Sequence, residues 1–157
     1  NINSLNLLET IKEFVDTGKP FFGICLGLQL LFEESEEFGN SKGLGIINGK
    51  VKKFPSMKQL NQKFPIPQIG WNTIYHDRSW DNTPLSNIKK NDYVYFVHSY
   101  YVEPEDKNCI ISKSKYGSTE YCSAVLHNNI FASQFHPEKS GEVGLNVYRH
   151  FKSKLNK

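Results

Sequence analysis

The chain has 157 residues, 38% of them hydrophobic, which is the size and apolar content of one ordinary domain with a sizeable core. Its net charge of +3 comes without a dense Lys/Arg block, so it lacks the clustered basic face of a nucleic-acid binder. No apolar run approaches the length of a membrane span. The start, "NINSLNLLETIKEF", lacks the basic and apolar regions of a signal peptide.

Leu5, Leu7, Leu8, Ile11, Phe14 and Val15 recur at helical spacing, with Ser4 as the expected N-cap, Gly18 as the stop and Pro20 just beyond. "PFFGIC", Pro20 to Cys25, predicts a short strand buried on both faces. "LGLQLLFEES", Leu26 to Ser35, resumes helical periodicity. Helix, strand, sharp turn and helix in that order point to a parallel α/β sheet. "GLGIINGKVKKFP" predicts a strand pair with glycine turns, and "IPQIGWNTIYH" and "YVYFVHSYYVEP" are β-rich. From Cys109 to Pro137 the chain reads as short strands, with "HNN" a tight turn. "GEVGLNVYRHFKSKL" predicts a closing amphipathic helix with Val143, Val147 and Phe151 on one side. Because helix–strand–helix at 5–34 looks like the middle of a doubly wound sheet, the first strands of that sheet are expected to be missing.

The three cysteines, Cys25, Cys109 and Cys122, fit neither a disulfide framework nor a paired zinc motif, and a reducing cytosol is the simplest home. Gly23-Ile24-Cys25-Leu26-Gly27 is a G-x-C-x-G turn between a strand and a helix, the thiol form of the nucleophile elbow. A nucleophile on such a tip sits in strained backbone, so its neighbours must be small. The following helix N-terminus is expected to lower the thiol pKa, and the Leu26 N–H can face an oxyanion. Alone, the pentapeptide fits a buried structural cysteine equally well. The second piece is "QFHPEKS", where His136 and Glu138 are two apart and share a side of extended backbone. A histidine that takes a thiol proton needs a carboxylate to fix its tautomer. Cys25, His136 and Glu138 together make a Cys–His–Glu triad. His98 reads as a hydrogen-bonded core histidine, and Cys109 and Cys122 as inert.

G-I-C-L-G-x-Q-L-L followed by Q-F-H-P-E resembles the class I, triad-type glutamine amidotransferases. With "FEESEE", "GLGIINGKV", "PQIGWN", "YFVHSYY" and "QFHPEKSG", the chain from about Leu7 to Phe151 resembles the glutaminase subunits of imidazole glycerol phosphate synthases. The fold this implies is α/β: a mostly parallel sheet flanked by helices, with an antiparallel β-rich extension and the first strand–helix units missing. Residues 1–157 would be a single glutaminase domain, incomplete at its N-terminus. The resemblance implies that Cys25 attacks glutamine, His136 moves the proton and Glu138 orients His136. Leu26, Gly27, Gln29, Glu37, Ser99 and Tyr100 would meet the substrate. Trp71, Tyr95 and Lys139 would face a (β/α)₈-barrel synthase that receives the ammonia. No cofactor, metal, nucleic acid or membrane is implied, and the location would be cytoplasmic. The family's P-G-x-G oxyanion loop has no counterpart here, so negligible glutaminase activity is expected of the chain alone. A paralogue serving surface-sugar amidination, or a catalytically silent synthase-binding module, stays open beside the main reading.

Overall fold

The computed structural model describes residues 7–55, 64–76 and 78–155. The expected cap Ser4 and the neighbouring Leu5 lie outside the described residues. Helix α1 spans Leu7–Asp16. It buries Val15 and packs Leu8 and Ile11 on the same cluster, as the periodicity requires. It stops at Gly18, whose φ of +74° suits glycine and whose N–H donates to the Val15 carbonyl at 3.0 Å.

Strand β1 is Phe21–Ile24 and helix α2 is Leu26–Leu30. Strands β2 (Phe32–Ser35), β3 (Ser41–Lys42) and β4 (Ile47–Lys53) follow. Next come β5 (Gln68–Thr73), β6 (Tyr93–His98) and β7 (Tyr100–Pro104). The last elements are β8 (Ile110–Tyr116), β9 (Thr119–His127), β10 (Ile130–Ser133) and helix α3 (Gly141–Leu155).

An eight-stranded sheet runs in the order β1-β10-β9-β7-β4-β2-β3, with β8 paired to β9; β5 and β6 form a separate two-stranded sheet. The sheet is mixed. The pairs β1–β10 and β2–β4 are parallel, and the others are antiparallel, a larger antiparallel share than the helix–strand–helix start suggests. Side chains alternate across it: Ile130 and Ala132 join one apolar cluster with α1 and α2, while Phe131 joins the other with α3. Among the described residues, β1 has one neighbour. Phe21 therefore packs on one cluster and Phe22 on the other, but both stay half-buried, short of the full burial expected for "PFFGIC".

Three expectations change. The stretch "LGLQLLFEES" is not one helix: α2 ends at Leu30 and Phe32–Ser35 is strand. The carbonyls of Leu30, Leu31 and Phe32 are captured by the N–H groups of Leu44, Ile46, Ile47 and Gly45, so long-range pairing overrides local propensity. The stretch "GLGIINGKVKKFP" is mainly the single strand β4. Acids in and just after β2 serve this pairing, for the Glu33 carboxylate accepts from the Gly49 N–H and the Glu36 carboxylate from the Lys53 N–H. Finally, "YVYFVHSYYVEP" divides at Ser99, with β6 in the small sheet and β7 in the large one. The "HNN" turn is present, with Asn128 at φ +51°. Among the described residues, no helix is long and apolar enough to cross a membrane.

Helix α3 seats the end of the chain against the turn that follows β10. Val147 is buried, and Phe151 packs on Phe22 with centroids 5.0 Å apart. Gly144 makes this approach feasible, because a Cβ there would stand 1.9 Å from the Pro137 carbonyl oxygen. Gly144→Ala is therefore expected to lower stability by about 1–3 kcal/mol. Urea unfolding measures it, and a midpoint equal to the parent's would contradict this packing.

Candidate active site

β1 and β10 are neighbouring parallel strands, with Ile24 opposite Ser133. Their carboxyl ends deliver Cys25 and the segment from Gln134 to Glu138 to the same place, the usual position of a site on a parallel α/β sheet. The Cys25 N–H donates to the Ser133 carbonyl at 2.7 Å, which ties the turn to β10. Cys25 has φ +50° and ψ −101°, a region that side chains seldom occupy. This is the strained tip that the G-x-C-x-G spacing anticipates. The two glycines differ, however. A Cβ on Gly23 would meet Gly27 backbone at 3.0 Å and Ala132 at 3.2 Å, whereas a Cβ on Gly27 would meet open space. Only Gly23 is required for packing.

Cys25 Sγ lies 3.9 Å from the Val97 carbonyl, and the Gln134 Nε2 donates to it at 3.6 Å. Burial pushes the thiol above its ordinary value, the Leu26 N–H and the Gln134 amide pull it down, and the charges of Glu138 and Glu37 push it up. The depressed pKa expected from the helix N-terminus is therefore overturned. Helix α2 has only 5 residues, and desolvation outweighs it.

His136 Nδ1 meets Glu138 Oε1 at 2.6 Å. A carboxylate on Nδ1 fixes that nitrogen as the donor, leaving Nε2 as the basic one. His136 Nε2 is buried and has no hydrogen-bond partner among the described residues. The turn that carries this pair is clamped to β6. The His136 N–H donates to the Tyr95 carbonyl at 2.9 Å, the Tyr95 N–H donates to Ser140 Oγ at 3.0 Å, and the Ser140 hydroxyl donates to the His136 carbonyl at 2.6 Å. Ser140 is fully buried in this role, which its position after "HPEK" did not announce.

Gln29 is buried, and its Nε2 donates to the Tyr100 carbonyl at 3.0 Å and to Gln134 Oε1 at 3.1 Å. Both amide hydrogens are thus engaged inside the protein, and only Oε1 is left for another partner. Ser99 and Tyr100 lie at the β6–β7 junction, but the Ser99 carbonyl accepts from the Phe54 N–H, and the Tyr100 carbonyl accepts from Gln29 and His98. Glu37 stands on a turn after β2, not at a helix end, and is close enough for its charge to act on Cys25. Leu26 presents its N–H to the sulfur while its side chain is exposed. His98 is a core histidine, as expected; burial lowers its pKa to about 4, so it is neutral at pH 7. Cys109 and Cys122 are buried free thiols, both pushed upward by burial. Gln134 and the Val97 carbonyl are the neighbours that sequence reasoning missed. Gln134 was nonetheless detectable as a polar residue inside the apolar run "FASQF", where burial demands partners.

Trp71, Tyr95 and Lys139 form a second group. Trp71 is opposite Tyr95 in the β5–β6 register, with rings 6.0 Å apart and edge to face. Lys139 Nζ lies 5.7 Å from the Tyr95 ring centroid. Trp71 is 56% exposed. Among the described residues, no cluster of three or more His, Cys, Asp or Glu side chains could hold a metal ion.

The Glutamine amidotransferase class-I family model matches residues 3–152. The chain belongs to the class-I glutamine amidotransferases. This amidotransferase is 49% identical over 150 residues to the imidazole glycerol phosphate synthase subunit HisH of Methanocaldococcus jannaschii, covering 95% of this chain and 71% of that one. It is 45% identical over 157 residues to the subunit of the same name from Aquifex aeolicus, covering 100% of this chain and 72% of that one. A solved glutamine amidotransferase superposes with a TM-score of 0.62 at 15% identity, covering 99% of this chain and 71% of that one. At that identity the likeness concerns the fold alone.

The strain at Cys25 has a measurable signature. Cys25→Gly relieves it and Cys25→Ala does not, although both remove the sulfur. At an ordinary position Ala is the more stable by about 0.5–1 kcal/mol. Here Cys25→Gly is expected to melt above Cys25→Ala, and the reverse order in thermal unfolding would contradict a strained tip.

Proposed function

We propose that this amidotransferase hydrolyses glutamine to glutamate and ammonia through a γ-glutamyl thioester on Cys25. The supporting observation is the convergence of Cys25 with His136 and Glu138 at the ends of two paired parallel strands. His136 Nε2 takes the thiol proton as the sulfur attacks the side-chain amide carbon. A raised thiol pKa suits this order, since the proton stays on sulfur until the base removes it. The tetrahedral intermediate then collapses: the C–N bond breaks, His136 returns the proton to nitrogen, and ammonia leaves. Water, deprotonated by His136, adds to the thioester carbon, and the C–S bond breaks to release glutamate and the thiol. Glu138 holds the imidazole in the required tautomer throughout. The Leu26 N–H donates to the negative charge that develops on the amide oxygen or on the sulfur. The open space over Gly27 leaves room for the substrate, and Glu37 supplies a carboxylate for its α-amino group.

The ammonia is destined for a (β/α)₈-barrel synthase that makes imidazole glycerol phosphate in histidine biosynthesis. The likeness to HisH subunits over most of the chain favours this acceptor over surface-sugar amidination. The exposed Trp71–Tyr95–Lys139 group is the docking face for that barrel. It shares β6 with the clamp on His136, so docking and catalysis meet on one strand. The pairing of His136 Nδ1 with the Glu138 carboxylate weighs against a silent binding module. Three free thiols fit a cytoplasmic location.

Glutamate release from glutamine, with the barrel subunit present, tests the reading. His136→Asn is expected to reduce turnover by about 10²–10⁴-fold. Undiminished turnover would remove His136 from the mechanism. Trp71→Ala is expected to weaken barrel binding by about tenfold or more while leaving the alkylation rate of Cys25 in the free subunit unchanged. Equal binding by calorimetry would move the docking face elsewhere.

A further inference from the structure

The side-chain relay behind Cys25 has a polarity that one backbone group dictates. The Tyr100 carbonyl can only accept, so the Gln29 atom at 3.0 Å from it must be the amide nitrogen. That nitrogen also reaches Gln134 at 3.1 Å, so Gln134 must turn its carbonyl oxygen toward it. The other end of the Gln134 amide is then its nitrogen, and it faces Cys25 Sγ at 3.6 Å. Each assignment forces the next. Gln134 is fully buried, and its backbone N–H is held by the Ser123 carbonyl at 2.8 Å. An N–H donor is worth little to a neutral thiol and much more to a thiolate, because charge-assisted bonds are roughly twice as strong as neutral ones.

We propose that Gln134 is a catalytic hydrogen-bond donor to the Cys25 sulfur, aimed by Gln29, which acts through Gln134 and the Tyr100 carbonyl and not on the substrate with its amide hydrogens. This deepens the glutaminase reading and rests on it for the sulfur's role as nucleophile. Gln134 stabilises the sulfur as His136 withdraws the proton, and again as the thiolate leaves the thioester. Of the other groups at the sulfur, the Leu26 N–H acts in the same direction, while the carboxylates of Glu138 and Glu37 and the Val97 carbonyl, which accepts from the thiol at 3.9 Å, act against it. His136 Nε2 is the base that must remove the proton, and His98, bonded to the same Tyr100 carbonyl, stays neutral at pH 7.

The test is the pH dependence of Cys25 alkylation by iodoacetamide in the full chain, read by mass on the Cys25 peptide. Gln134→Glu keeps the shape and still accepts from Gln29, but presents a carboxylate oxygen to the sulfur. Its alkylation midpoint is expected to rise by about one pH unit or more, a tenfold slower reaction at neutral pH. An unmoved midpoint would overturn the assignment. Gln29→Met, which removes the aim, is expected to move the midpoint in the same direction by a smaller amount. Should Gln134→Glu fail to fold, the side-chain amide ¹⁵N resonance of Gln134 in the parent chain carries the same question. It is expected to titrate with the Cys25 midpoint and to lose that step in Cys25→Ser; a resonance indifferent to sulfur ionisation would overturn the assignment. Neither readout requires glutamine. Failure of the glutaminase reading shows as absent glutamate release, whereas failure of the donor role shows as an unmoved midpoint.

Discussion

The parallel pairing of β1 with β10 is the constraint on which the rest of the site depends. Residues 21–24 and 130–133 are far apart in sequence, yet their register sets Ile24 opposite Ser133 and sends both chains out at the same end. The backbone bond from Cys25 to Ser133 then fixes where the elbow starts. A slip of one residue would exchange the two faces of β1 and turn Phe21 and Phe22 away from their clusters. It would also carry the sulfur away from Gln134. Strain at Cys25 is tolerable because this pairing, the close approach of Gly23 to Gly27 and the α2 hydrogen bonds all hold the turn in one shape.

Strand β6 joins the chemistry to the surface. Its Tyr95 holds the His136 turn through backbone bonds while its ring meets Trp71 and Lys139. Its Val97 carbonyl lies beside the sulfur, and at Ser99 the chain crosses into the large sheet. A partner that pressed on the Trp71 face would therefore touch the strand that clamps the His136 turn. Two-stranded sheets are marginal alone, so β5–β6 takes its position from the second apolar cluster, in which Val94 and Phe96 are buried.

Much of this was legible in the sequence, and for identifiable reasons. Helix α1, its stop at Gly18 and helix α3 follow from apolar spacing and glycine, which are local signals. The Cys25 elbow and the His136–Glu138 pair were legible because each is a short motif whose geometry is set within a few residues. What was not legible depends on distant partners. Helix α2 stops at Leu30 because the Leu44 N–H takes the Leu30 carbonyl and the N–H groups of Gly45, Ile46 and Ile47 take those of Leu31 and Phe32. The division of "YVYFVHSYYVEP" at Ser99 reflects which sheet each half joins. The thiol pKa was misjudged because a helix N-terminus can be seen in sequence and burial cannot. Gln134 sat inside a quoted motif without a role, since its partners, Gln29 and Cys25, come from more than a hundred residues away.

The central claim is that the sulfur of Cys25 carries the glutamyl group. The most direct measurement is acid-quench mass spectrometry of the protein during turnover of glutamine, with peptide mapping of all three cysteines. The expected result is a γ-glutamyl adduct on Cys25 that forms and decays with turnover and is absent from Cys25→Ser. Turnover that persists in Cys25→Ser, or an adduct carried by Cys109 or Cys122, would contradict it.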